Sequence, residues 1–265
     1  MRWAPVPSVV LVTLLSLPLP ALAQEPGADT GQSSSDTGQT SSQGVKGFFV
    51  ALGQDLKHLP SVETALTLGI GGGLALAVSP ADKRLTRDAV RDEGLEETLD
   101  PGQVLGGGWV QVGGAFGTLV IGHLTSSPRV QAVGSDLFRA QIINAGITQG
   151  LKHIVNRERP DGSNYSFPSG HASASFASAA VLERHFGWKV GLIGYGAAAY
   201  VAISRLSENE HYASDVIFGA ALGMVSGHSV TVELRGNRFA VAPAAVPGGA
   251  AVNFTLMPRG SVARN

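Results

Sequence analysis

Along this chain, long apolar stretches rich in small residues alternate with short polar breaks. The spacing of the apolar positions predicts helices over Val62–Val78, Val104–Leu124, Ser135–Val155, His171–Arg184, Val190–Leu206 and His211–Glu233. Their uncharged stretches run about 12 to 22 residues against the roughly 20 that a spanning helix needs, so only the second is comfortably long. The pairs Gly113/Gly117, Gly146/Gly150 and Gly219/Gly223 sit four apart and would let helix backbones approach closely, in a membrane bundle or in any tight helical core. After about Gly236 the period changes. Phe239 and Val241 alternate with small residues, Pro247-Gly248-Gly249 signals a turn, and Val252, Phe254 and Leu256 alternate again. The expected fold class is all-α, a six-helix bundle followed by a short C-terminal β-hairpin.

The N-terminus reads differently. Arg2, an apolar run from Val9 to Leu19 and Ala21-Leu22-Ala23 before Gln24 form a secretory signal over residues 1–23, with a retained anchor as the alternative. Residues 24–46 are almost devoid of apolar side chains and are expected to be a disordered tether. The helical domain is then 47–235, with the hairpin and tail over 236–265. An exported protein follows, in the periplasm or in the inner membrane with its site facing the periplasm. Charged residues are only 15% of the 265, the net charge is −1 and mean hydropathy is +0.16, which excludes nucleic acid as a partner but leaves an integral and a peripheral bundle both open. No cysteine is present, so there are no disulfides.

Chemistry concentrates in three clusters. His211 and Asp215 are four apart; on a helix starting near Glu210 they would share a face, and the carboxylate would fix the imidazole tautomer and leave the other ring nitrogen free to attack an electrophile. Lys152 and Arg159 are seven apart, near two helical turns, and a helix continued that far would project both from one side, with Arg205 as a third cation. A planar guanidinium fork and a compact ammonium can grip different oxygens of one anion. Between them, Pro168-Ser169-Gly170-His171 opens a helix; uncovered amides at such a start bind anions, and His171 at its mouth can protonate a leaving oxygen. Singly, each feature has an ordinary structural explanation: a solvated His/Asp pair, basic residues at a helix end, a capping serine. The glycine runs Gly69–Gly73 and Gly106–Gly108 lack the lysine of a nucleotide loop and are read as packing. His58, His123, His153, His185 and His228 have no motif around them and are read as structural.

In order, the clusters read Lys, six residues, Arg-Pro; Pro-Ser-Gly-His; Ser-Arg, five residues, His, three residues, Asp. This series resembles the three-part signature of the type 2 phosphatidic acid phosphatase and vanadium haloperoxidase superfamily. The resemblance implies a helical bundle of the acid phosphatase/haloperoxidase type. It implies that His211 becomes the phosphohistidine with Asp215 orienting it, that His171 protonates the leaving oxygen, and that Lys152, Arg159, Ser169, Gly170 and Arg205 bind phosphate. It implies no metal and no other cofactor in a phosphatase member.

The chain departs from the family in two places. Only Asp161 to Phe167 separate Arg-Pro from Pro-Ser-Gly-His, and Leu206-Ser207-Glu208-Asn209-Glu210 precedes His211, its two acids suggesting a solvent-facing rim that repels polyanions. The expected function is a phosphatase acting on a lipid phosphate or prenyl pyrophosphate, or on a small phosphomonoester. The alternatives are a haloperoxidase holding vanadate in the same cradle and a non-catalytic anion-binding bundle. A membrane is the expected partner, and the hairpin either packs on the bundle or joins two chains as a homodimer.

Overall fold

The computed structural model describes residues 37–91, 94, 98–230, 232–234, 237–246 and 249–257, of which 37–45 and 232–257 are described by backbone alone. The expected signal at 1–23, the tether up to residue 36, the hairpin turn at 247–248 and the tail at 258–265 lie outside the described residues.

The helices are α1 (Thr37–His58), α2 (Val62–Val78), α3 (Asp82–Val90), α4 (Pro101–Gly106), α5 (Gly108–Leu124), α6 (Pro128–Val155), α7 (Gly170–Phe186), α8 (Trp188–Ser207) and α9 (Ala213–Ser229). A 3₁₀ turn at Ser79–Ala81 joins α2 to α3. Strands β1 (Val232–Leu234), β2 (Asn237–Val246) and β3 (Gly249–Met257) follow, antiparallel in that order, with Phe239 opposite Leu256 and Val246 opposite Gly249.

Helix ends have local causes. Ser61 caps α2 by accepting the Thr64 N–H at 3.1 Å, and Pro101 and Pro128 occupy first-turn positions where a missing N–H costs nothing. Asn156 ends α6 in the left-handed region at φ 43°.

Helix α7 lies at the centre, packed on α6, α8 and α9. Its contact with α9 is close because glycines take the positions that face it. A Cβ added at Gly219, Gly223 or Gly227 would lie 2.6, 2.2 and 2.6 Å from the carbonyl oxygens of Ser169, Ser173 and Ala177. The largest apolar cluster joins Ala115, Val133, Leu137, Ala140, Ile143, Val181 and Val230, and a smaller one of Ala172, Ala202 and Val216 lies beneath the motif residues.

Helix α1 is tied to the bundle by charge. Arg139, buried on α6, donates to Asp55 at 2.7 Å and to Asp136 at 2.6 Å, and His185 meets the other Asp136 oxygen at 2.8 Å. Burial raises the Asp136 carboxyl above its usual range despite these partners.

Several expectations from the sequence need correction. Helical backbone begins at Thr37, inside the stretch expected to be a tether, and α3 is a further helix. The predicted Val104–Leu124 helix is broken at Gly107, whose ψ of 133° is not helical, so the element judged long enough to span a bilayer is two shorter ones. Among the described residues, the stretches long and apolar enough to cross a membrane are Val62–Val90 and Trp188–Ser207. Of the glycine pairs, Gly219/Gly223 makes the close approach, whereas Gly113, Gly117, Gly146 and Gly150 face nothing within 4 Å. Outside the motifs, Gly71 of the first glycine run closes on Ala221, where an added Cβ would lie 2.3 Å from the alanine Cβ.

Candidate active site

Helix α7 brings its first turn to the site. Ser169 caps it, its Oγ accepting the Ala172 N–H at 3.5 Å and its own N–H donating to the Asp215 carbonyl at 3.1 Å. Ser173 steadies the turn from below, donating to the Gly170 carbonyl at 3.1 Å while accepting from Asn144 of α6 at 3.2 Å. Gly106, at the end of α4, fits against His171: a Cβ there would meet its Cβ at 3.1 Å and Cδ2 at 3.2 Å.

His211 is placed otherwise than its spacing suggested. It precedes α9, whose cap is Tyr212, so His211 and Asp215 do not share a helix face. Asp215, at the third helical position, turns back to accept the Tyr212 N–H at 2.9 Å, and that turn brings its Oδ2 to 4.0 Å from His211 Nδ1. Nδ1 thus faces the carboxylate, at a distance beyond a hydrogen bond. His211 is 2% exposed and Asp215 fully buried.

The Lys152–Arg159 geometry is also corrected. Because α6 ends at Val155, Arg159 stands in the following loop. Lys152 donates to the Tyr165 carbonyl, and Arg159 pairs with Glu210. Arg205, 2% exposed, pairs with Glu208 at 2.6 Å and lies 3.8 Å from the other oxygen of Glu210. The two acids expected to repel polyanions are instead paired with the arginines of the candidate site, Glu210 remaining partly exposed.

Electrostatics ties the clusters together. Burial first, and then Arg205, Lys152 and Arg159, push His171 down to about 4, against a hydrogen bond with the Gln103 backbone. Burial first, and then Lys152, Arg159 and Arg205, hold His211 well below the usual imidazole range, against the Ser166 backbone. Lys152 is lowered to about 8 by burial and Arg159, with Asp215 opposing. Both histidines thus feel the same three cations, although these come from α6, the loop after it and α8. Among the described residues, no group of three or more acidic or histidine side chains could hold a metal ion.

Sequence reasoning missed the support behind Asp215. Arg157 donates to its Oδ1 at 2.6 Å, to Asp82 at 2.8 Å and to Ser214 at 2.8 Å, and lies over the Tyr212 ring at 4.4 Å. Ser166 donates to Asp215 Oδ2, and Asp82 accepts the Ser214 N–H at 2.9 Å. The signal available was a second arginine, Arg157, two residues before Arg159; nothing in the sequence joins residue 82 to residue 215. Of the histidines read as structural, His185 bridges to Asp136, His153 stacks edge-on with Tyr165 at 5.0 Å, and His228 lies 3.8 Å from Glu183.

Residues 161–238 match the family model described as the PAP2 superfamily. A segment of 90 residues, 32% of this chain, is 39% identical to the lipid A 1-phosphatase of Porphyromonas gingivalis, of which it covers 19%. Another of 87 residues, 29% of the chain, is 34% identical to the decaprenylphosphoryl-5-phosphoribose phosphatase of Mycobacterium tuberculosis, covering 48% of it. The match thus spans about a fifth of one curated relative and about half of the other. Among solved structures, a transmembrane PAP2-type phosphatidylglycerolphosphate phosphatase from Bacillus subtilis aligns at TM-score 0.44 and 23% identity over 67% of this chain and 94% of that one. LpxE of Aquifex aeolicus aligns at TM-score 0.47 and 23% identity over 55% and 92%. The family model covers the second and third parts of the signature, Pro168-Ser169-Gly170-His171 and Ser204-Arg205 with His211 and Asp215, and the resemblance to that superfamily rests on this segment.

Proposed function

We propose that this protein is a phosphatase that hydrolyses phosphomonoesters or pyrophosphates of lipids through a phosphohistidine at His211. The observation that carries the reading is geometric: the Ser169 N–H donates to the Asp215 carbonyl at 3.1 Å, the Asp215 carboxylate lies 4.0 Å from His211, and Arg159 and Arg205 both face Glu210 beside it, with the charges of Lys152, Arg159 and Arg205 lowering both His171 and His211 after burial. Three cations around two imidazoles make a cradle for an anion of charge two or more.

In this reading His211, kept neutral, attacks phosphorus through Nε2 while Asp215 stabilises the charge forming on the ring. The bond from phosphorus to the leaving oxygen breaks, and His171 donates its proton to that oxygen. Water then attacks the phosphohistidine, giving its proton to His171, and orthophosphate departs with His211 regenerated. A histidine held at about 4, first by burial and then by the cations, is a poor store of protons; a bound phosphate dianion offsets the cationic part and its charge favours protonation, so His171 takes up its proton with substrate bound. Gly170, first in α7, has an amide with no partner inside the helix to offer a phosphate oxygen. Neither metal nor cofactor enters this scheme.

We read α2 and α5 to α9 as the six-helix core of the acid phosphatase/haloperoxidase type, with the antiparallel strands as a C-terminal hairpin. Exposed Leu66, Ile70 and Leu74 on α2 and Leu192 and Ile193 on α8 fit membrane association through the two apolar stretches. Export by a signal at 1–23, with the site facing the periplasm, completes the reading. The named relatives are phosphatases of lipid A and of a decaprenyl-linked phosphoribose, which supports a lipid phosphate as substrate class.

The experiment is His211→Ala. Hydrolysis of p-nitrophenyl phosphate and of a panel of lipid phosphates should be lost together with acid-labile phosphate labelling. A variant that still turns over either substrate would defeat the assignment. Vanadate should inhibit; bromide oxidation with peroxide would point to the haloperoxidase instead.

A further inference from the structure

We propose, on the phosphatase reading above, that Glu210 is a carboxylate latch: its side chain competes with phosphate oxygens for Arg159 and Arg205 and so sets how tightly the cradle holds free orthophosphate. One Glu210 oxygen bonds Arg159 and the other lies 3.8 Å from Arg205, so a single planar anion spans two guanidinium groups in the manner of two phosphate oxygens. Glu208, 2.6 Å from the other Arg205 nitrogen, holds that guanidinium from its own helix end and leaves the spanning position to Glu210.

The loop around Glu210 gives the side chain freedom and the backbone none. The N–H groups of Glu210 and His211 both donate to the Arg205 carbonyl at 3.2 Å, and that of Asn209 donates to Leu206 at 3.2 Å. A carboxylate leaving the arginines therefore cannot take the loop with it without disturbing His211. It must swing by side-chain rotation, and its 30% exposure, beside 2% for Arg205, gives it solvent to swing into. An incoming phosphate dianion displaces it. When the product loses its hold, the tethered carboxylate is already within reach at high effective concentration. Latching thus weakens product retention without touching the reacting atoms.

The test measures orthophosphate affinity of the full chain by calorimetry, and as competitive inhibition of p-nitrophenyl phosphate hydrolysis. Glu210→Gln removes the charge and should bind orthophosphate about 1.5- to 5-fold more tightly, the range expected for a partly exposed ion pair. Glu210→Asp keeps the charge on a shorter arm and should fall between Gln and wild type. Equal or weaker binding by Glu210→Gln overturns the latch, since Glu210 would then be holding the arginines in place. If the Gln variant melts below the assay temperature, Glu210→Asp decides alone: tighter than wild type supports the latch, and equal or weaker overturns it. Loss of hydrolysis in His211→Ala with unchanged affinity in Glu210→Gln sinks the latch and spares the phosphatase. Failure of both the wild type and Glu210→Gln to bind orthophosphate overturns the latch, and hydrolysis of p-nitrophenyl phosphate by the same wild-type chain then spares the phosphatase.

Discussion

Replacing Gly223 by alanine places a methyl group where α9 has no room for one. The new Cβ would lie 2.2 Å from the Ser173 carbonyl oxygen, 2.8 Å from Phe176 Cβ and 2.9 Å from the Ala177 nitrogen. Backbone cannot rotate out of the way as a side-chain tip can, so α9 has to retreat by about 0.8 Å to restore a 3.0 Å contact. Overpacking of this kind costs about 1–3 kcal/mol, which in a chain of this size lowers Tm by about 2 to 12 °C. The catalytic consequence is separate. The same helix pair carries Asp215 and its neighbour His211 on one side and Gly170 and His171 on the other, joined by the 3.1 Å bond from the Ser169 N–H to the Asp215 carbonyl. A displacement near 1 Å between reacting groups costs up to about 100-fold in rate. Hydrolysis of p-nitrophenyl phosphate, measured on variant protein shown to be folded by its melting curve, should therefore fall about 10- to 100-fold in kcat. Gly146→Ala is the control, because nothing stands within 4 Å of its Cβ and helix propensity favours alanine by up to about 1 kcal/mol. Wild-type kcat and Tm in Gly223→Ala would refute the claim that the α7–α9 contact sets the site's geometry.

Two further perturbations act on charge. Arg157→Ala strips the cation from Asp82 and Asp215, which are 2% and 0% exposed; kcat and Tm should both drop, while Arg157→Lys, which keeps charge but not the fork, should recover stability better than rate. An Arg157→Ala enzyme with unchanged kcat would mean that Asp215 needs no such support. Lys152, lowered to about 8, is charged below that pH and neutral above it, so kcat/KM should fall as pH rises through about 8 when the cradle loses one of its positive charges. Lys152→Arg stays charged and should carry that alkaline limb upward; a limb that does not move would assign it to another group.

Much of the candidate site's local structure was legible because it is written in local spacings. Pro168-Ser169-Gly170-His171 is a helix start in sequence and in space, and Val62–Val78 ends where its apolar run ends. Spacing failed where a chain break intervened. His211 and Asp215 look helical at four apart, yet Tyr212 is the cap and the carboxylate reaches back by a capping bond; Arg159 left the α6 helix once Asn156 turned left-handed. Glu208 and Glu210 looked solvent-facing because sequence shows their charge and not the arginines opposite.

Taken alone, the order of residues determined which groups could do chemistry and which stretches would be helical, since ionisable groups and apolar periods are properties of neighbours a few positions apart. Only the tertiary structure decided that α6, α7, α8 and the loops beside them deliver those groups to one place. It also decided that Asp82 and Arg157 stand behind Asp215 and that Gly219 and Gly223, unlike the other glycine pairs, touch another helix. Such pairings join residues tens of positions apart through space, and no local pattern encodes a distance between surfaces that meet only when the bundle closes.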